Sequence, residues 1–200
     1  MENTENSNKF DTRKLVLLAL LTGIVIVLQF LGAFIRFGPF SISLVLMPIV
    51  VGAALVGVQA GGWLGLVFGF VVLLSGDANA FLTIDPAGTI LTVLLKGAFA
   101  GIAAGAVYRL LEKKSKTIAA VAAGIVCPIV NTGVFIIGCY VFFLSALTSW
   151  GMDAGFVNAT KFIFIGMIGV NFLVEFGLNI ILSPAIVRLI QYGEEKRLRK

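Results

Sequence analysis

Two ionisable side chains, Lys96 and Glu175, sit deep inside long apolar stretches of the sequence, where a charge costs at least about 2.5 kcal/mol unless it is paired or hydrated. Two arrangements relieve that cost. In one, a Lys–Glu pair only knits two helices together; in the other, one or both groups point into a polar cavity. Other polar groups at the same depth favour the cavity. Asn171, Glu175 and Asn179 recur every four residues and so share one helical stripe. Asn131 follows Pro128 by three residues, and proline frees the Gly124 carbonyl so that the segment can line a cavity. Asn179, nearest the inner end of its helix, is expected to serve as interhelical hydrogen-bond glue.

The chemistry these residues offer is binding rather than catalysis. The chain contains no histidine, which removes Ser–His and Cys–His nucleophile pairs, imidazole metal sites and histidine proton relays. No metal and no cofactor is expected. Cys127 and Cys139 are twelve residues apart, about 18 Å along a helix, too far to bridge. There is no GxxxxGK[ST] phosphate loop, no arginine-rich voltage sensor or TVGYG filter, and no likeness between the two halves of the kind an inverted-repeat carrier shows. A polar pocket without an engine implies an engine supplied by a partner.

The elements that must position these groups follow from composition. Of 200 residues, 59% are hydrophobic and 12% charged, against about 25% charged in a soluble domain; the chain is read as an all-α integral membrane protein. At roughly 20 residues per span, the apolar runs give a six-helix bundle: Leu15 to Phe34, Ser41 to Val56, Gly61 to Leu74, Pro86 to Leu111, Thr117 to Leu144 and Lys161 to Ile190. Residues 37–76 form a forty-residue stretch without a charge. A single helix of about 60 Å does not fit a hydrocarbon core of about 30 Å, so a turn is placed among Gly57, Gln59, Gly61 and Gly62. Asp85-Pro86 reads as a helix start, with Asp at the N-cap and Pro in the first helical position. The organisation expected is one transmembrane domain over residues 15–190, a polar N-terminal tail over 1–14 that reads as retained rather than as a secretory signal, and a basic tail over 191–200.

Twelve of the fifteen Lys and Arg residues flank the first, fourth-to-fifth and sixth-helix ends, which places those ends, and both termini, in the cytoplasm. Arg36 and Lys161 are then outside. The net charge of +5 is topological, facing anionic lipid or a cytoplasmic partner, and no nucleic-acid role is expected. The chemically varied connections, 35–40, 75–85 and 145–160, lie on the outer side, so specificity should face outward. Gly61, Gly65 and Gly69, and Gly97, Gly101 and Gly105, make two stripes for close helix packing. Ala19 and Gly23 make a shorter smooth patch near the cytoplasmic end of the first helix, suited to an internal helix or an external partner. Phe30, Phe34, Phe37, Phe40, Phe81, Trp150 and Phe156 gather near the outer interface as an aromatic belt; Phe37, Phe40 and Phe81 are also placed to wall a pocket.

Four stretches together resemble the integral-membrane substrate-binding (S) components of energy-coupling factor (ECF) vitamin transporters: LVLLALLTGIVIVLQFLG, FGPFSISLVLMPIVVGAALVGVQAGGWLGLVFGFVVLL, IDPAGTILTVLLKGAFAGIAAGAVYRLLEKK and NFLVEFGLNIILSPAIVRLI. The resemblance spans Arg13 to Tyr192. It implies a bundle in the bacterial plasma membrane that captures a water-soluble vitamin outside, and then reorients while docked on a membrane coupling subunit driven by two cytoplasmic ATPases. The family's docking alanines, four apart, match Ala19 and Gly23, with glycine in place of one alanine. Its ligand site maps onto Arg36, Asn79, Lys96, Asn131, Asn171 and Glu175. Lys96 suits a carboxylate-bearing vitamin and the asparagines a polyhydroxy or amide ligand, so pantothenate is expected first and riboflavin or another vitamin next; if Glu175 neutralises Lys96, a neutral ligand is favoured. The rival readings are an autonomous carrier or small channel, which would transport alone, and a membrane scaffold, which would bind no ligand.

Overall fold

The computed structural model describes residues 12–33, 36–37, 40–41 and 44–198; within these, the side chains of residues 36–37, 40–41, 170–171, 183 and 193–198 are not described. Helix α1 (Thr12–Gly32) leads through a two-pair antiparallel hairpin, β1 (Arg36–Phe37) and β2 (Phe40–Ser41), to α2 (Leu46–Leu55) and α3 (Val58–Leu74). A one-turn helix α4 (Asn79–Leu82) precedes α5 (Pro86–Leu111), which is followed by α6 (Lys116–Phe142), α7 (Leu144–Asp153) and a single turn α8 (Ala159–Lys161). The chain then passes through eight residues of π-helix, Phe162–Gly169, into α9 (Val170–Leu198).

Helix α2 is the hub, packing against α1, α3, α5, α6 and α9. Its side chains from Pro48 to Ala54 are all buried, as expected of a helix that is apolar on every side. Within the long uncharged stretch, residues 48–54 are thus enclosed by protein. The helix begins five residues later than the sequence suggests, because Ser41 belongs to the hairpin. At ten residues it is about 15 Å long, half the thickness of a hydrocarbon core. Among the described residues, four helical stretches are long and apolar enough to cross a membrane, namely α1, α5, α6 and Ala159–Leu182, while α2 and α3 are shorter apolar helices.

The turn between α2 and α3 falls at Gly57, whose φ of 140° lies in the region open to glycine alone. Gly57 faces the Arg109 guanidinium near the end of α5, and Arg109 pairs with Glu112 at 3.1 Å. At its other end α5 starts as the Asp85-Pro86 signature predicts: the Asp85 carboxylate accepts the Gly88 amide hydrogen at 2.9 Å and proline occupies the first turn. Ser115 caps α6 in the same way through the Ile118 amide. Helix α9 continues to Leu198, through most of the segment read from sequence as a basic tail.

The glycine stripes meet face to face. A Cβ on Gly61 or Gly65 would strike the Gly101 or Gly97 carbonyl oxygen, the reverse holds for Gly97 and Gly101, and a Cβ on Gly69 would lie 2.6 Å from the Val93 oxygen. Thus α3 and α5 touch backbone to backbone along an antiparallel seam. Around it lies the main core, with Ile49, Val50, Leu64, Phe68, Ala100, Ala104 and Tyr108. A second apolar cluster, Phe81, Cys139, Phe143, Leu147, Ile163, Met167 and Ile168, occupies the opposite end.

Candidate functional site

The cavity opens at the end of the bundle away from Arg109, between the C-terminal ends of α1 and α3, the N-terminal half of α5, the C-terminal half of α6 and the start of α9. Its empty space, counted together with the open solvent at its mouth, is about 750 Å³. Helix α5 contributes Thr89, Thr92, Val93 and Lys96, one face of a 3.6-residue repeat. Helix α6 contributes Asn131, Thr132 and Phe135, the π segment Met167 and Ile168, and α9 Phe172 and Glu175. Gln29 enters from α1, Asp77 and Ala78 from the loop after α3, and Phe81 from α4.

Lys96 and Glu175 both line this cavity. The Lys96 ammonium lies 5.3 Å from the Phe68 ring centre and 5.6 Å from that of Phe135, within cation–π range. Asp77 is a second carboxylate on the same lining. Glu175 is 3% exposed. The apolar wall is aromatic. Phe81 meets Phe135, Phe143 and Trp150 edge-on, with centroids 5.6, 4.9 and 5.8 Å away, the arrangement the ring quadrupole favours. Of the outer aromatic residues, Phe81 is thus a pocket wall, while Phe30 is exposed on α1.

Of the six residues the sequence singles out, the cavity brings together Lys96, Asn131 and Glu175. Asn79 is exposed on α4 and does not line it. Arg36 lies in β1 and Asn171 in α9, and both side chains fall outside the described residues. Asn179 is buried, but it donates to the Glu175 carbonyl one turn back in its own helix, at 2.9 Å, rather than across to a neighbour. Sequence reasoning passed over Gln29, Asp77, Thr89, Thr92 and Thr132. Gln29 carries a legible signal, as the one amide side chain in an otherwise apolar first helix. The threonines carry none, because Thr is common on packed helix faces.

Three residues on this lining, Gln29, Thr92 and Asn131, carry a buried side-chain oxygen (Oε1, Oγ1 and Oδ1) that has no hydrogen-bond partner among the described residues. Leaving such an acceptor unmade costs about 1–3 kcal/mol, so the cavity is built to receive donors. Among the described residues no group of three His, Cys, Asp or Glu side chains could hold a metal ion. On the opposite half of α1, Ala19 and Gly23 are both exposed, and nothing lies within 4 Å of a Cβ placed on Gly23.

The chain is similar in fold to ThiT from Listeria monocytogenes, with a TM-score of 0.62 and 22% identity over 90% of this chain and 97% of that one. None of the curated proteins matches it. The family model described as "ECF transporter, substrate-specific component" matches residues 13–187. With nearly the whole sequence matched, the chain belongs to the substrate-specific components of ECF transporters.

Proposed function

We propose that this protein captures a water-soluble vitamin from outside the cell and delivers it inward through an ECF module of one membrane coupling subunit and two cytoplasmic ATPases. In this reading both termini are cytoplasmic, residues 15–190 form the substrate-binding bundle, and the cavity faces outward. The observation that carries the reading is the cavity itself, with Lys96, Glu175 and Asn131 on its lining and an aromatic wall around Phe81. The smooth exposed patch at Ala19 and Gly23 supports docking of the coupling subunit at the other end of α1.

The choice of vitamin turns on charge. The sequence favours pantothenate because Lys96 suits a carboxylate. Within the cavity, however, Lys96 shares the lining with two carboxylates, Asp77 and Glu175, and an anionic ligand would meet more negative than positive charge. The aromatic wall and the buried acceptors favour a ring-bearing vitamin with N–H or O–H donors, neutral or cationic. Thiamine represents the cationic case, riboflavin the neutral one and pantothenate the anionic one.

The test is equilibrium binding of these three by the purified full chain in lipid nanodiscs, followed by uptake in cells with and without the ATPases. Binding of thiamine or riboflavin, and uptake that needs the ATPases, is the expected result. Tightest binding to pantothenate would reverse the charge argument. Uptake by the chain alone would favour the autonomous carrier, and no binding at all the scaffold.

A further inference from the structure

Gln29 is 1% exposed near the end of α1, and its amide is tied at one end only. The Nε2 group donates to the Asp77 carboxylate at 2.7 Å, while Oε1 is buried without a partner. An ionised carboxylate only accepts hydrogen bonds, so Asp77 fixes which end of the amide is nitrogen and leaves the oxygen as the free end. Both residues line the cavity. Asn131, from α6, adds a second unpartnered buried oxygen on the same lining.

We infer that Gln29 is a specificity-determining ligand contact: held in one amide orientation by Asp77, it accepts a hydrogen bond from a ring N–H or amino group of the ligand, and Asp77 acts as its positioning residue. This rests on the reading of the cavity as the vitamin site. The ligand class it names is a heteroaromatic ring bearing a donor at its edge, flat enough to lie along Phe81 and Phe135. A site built to hydrogen-bond a donor discriminates against an analogue that lacks it, because the buried acceptor is then left unpaired.

The experiment compares analogue pairs on the full chain in nanodiscs: thiamine against its analogue with hydrogen in place of the 4-amino group, and riboflavin against N3-methylriboflavin. Wild type is expected to favour the donor-bearing member of the pair it binds by about tenfold or more, the equivalent of about 1.4 kcal/mol. Gln29→Met, of similar length but without the acceptor, should bring that preference to within about twofold. Asp77→Asn can donate to Oε1 and so releases the amide to turn over; it should shrink the preference without abolishing binding. Equal binding of both members by wild type overturns the inference, and needs no variant to fold. An unchanged preference in Gln29→Met overturns it as well. If wild type binds neither pair, the ring-bearing vitamin reading falls and the inference with it; binding without discrimination removes the inference alone.

Discussion

Where α3 crosses α5, glycine meets glycine and a single added carbon would strike a carbonyl oxygen; at the far end of the same two helices, Val72, Thr92 and Lys96 line open space. The two regions share Val93, which closes the seam against Gly69 and also faces the cavity. Small side chains let two backbones approach and fix the spacing of the bundle at one end. Bulky aromatic residues at the other end, Phe81, Phe135 and Phe143, prop the helices around a void that they do not fill. A receptor for a small polar ligand in a membrane needs both. The residues around the hollow keep buried acceptors unpaired, which costs stability, and close packing elsewhere must hold the helices in place.

The comparison breaks most severely at the seam. Gly65→Val places branched carbon against the Gly97 backbone, which cannot move aside as a side chain can. Over-packing of this kind costs about 3 kcal/mol or more, and we expect loss of the monodisperse folded species in detergent. Gly133→Ala, in α6, meets nothing within 4 Å and should be neutral or stabilising by up to about 1 kcal/mol. Equal tolerance of the two substitutions in thermal unfolding would show that the seam does not set the fold.

Changes in the cavity should act on affinity while leaving folding largely intact. Glu175→Gln removes one of the two carboxylates facing Lys96 and is expected to weaken thiamine binding about tenfold, while easing the penalty on pantothenate. Lys96→Met leaves two carboxylates on the lining and should tighten thiamine by several-fold. Titrations of both variants with both vitamins check the signs. If Lys96→Met abolished thiamine binding while leaving the protein folded, the charge argument would be wrong.

Outside both regions, Ala19 and Gly23 are exposed on α1. Replacing either with Trp should lower ATPase-dependent uptake about tenfold, the effect of about 1.4 kcal/mol lost from a docking surface, with vitamin affinity within twofold of wild type. Parallel measurements of uptake and binding separate a docking defect from misfolding, in which both fall together.

The seam was legible in the sequence because small-xxx-small spacing has one good structural use inside an apolar helix, and the two stripes pair as their spacing suggests. Lys96 and Glu175 were legible because charge at depth demands an explanation. Gln29 and Asp77 were harder to read: one is uncharged and the other lies in a loop, and only the fold reveals that residues forty-eight positions apart share a hydrogen bond. The packing of α2 was equally hard to read, for a related reason. An apolar run looks the same whether it faces lipid or protein, and only its position among five neighbours shows that it is a core helix. The π-helical turn before α9 left no sequence signal we can identify.

The smallest predicted effect tests how far the two regions are independent, because α5 runs through both. Asp85 caps this helix at the cavity end through the Gly88 amide, and its loss in Asp85→Ala should cost about 1 kcal/mol, a fall in melting temperature of about 2–4 °C for a chain of this size. Asp85→Ser, which keeps a capping oxygen, should recover most of it. The loss should also be local. An unmade cap frays the first turn, so hydrogen exchange should quicken at the amides of residues 87–90 and remain slow from Gly97 to Gly105, where α3 clamps the backbone. Faster exchange along the whole helix would mean that the seam depends on the order of the cavity end, and that the two halves of the bundle act as one cooperative unit.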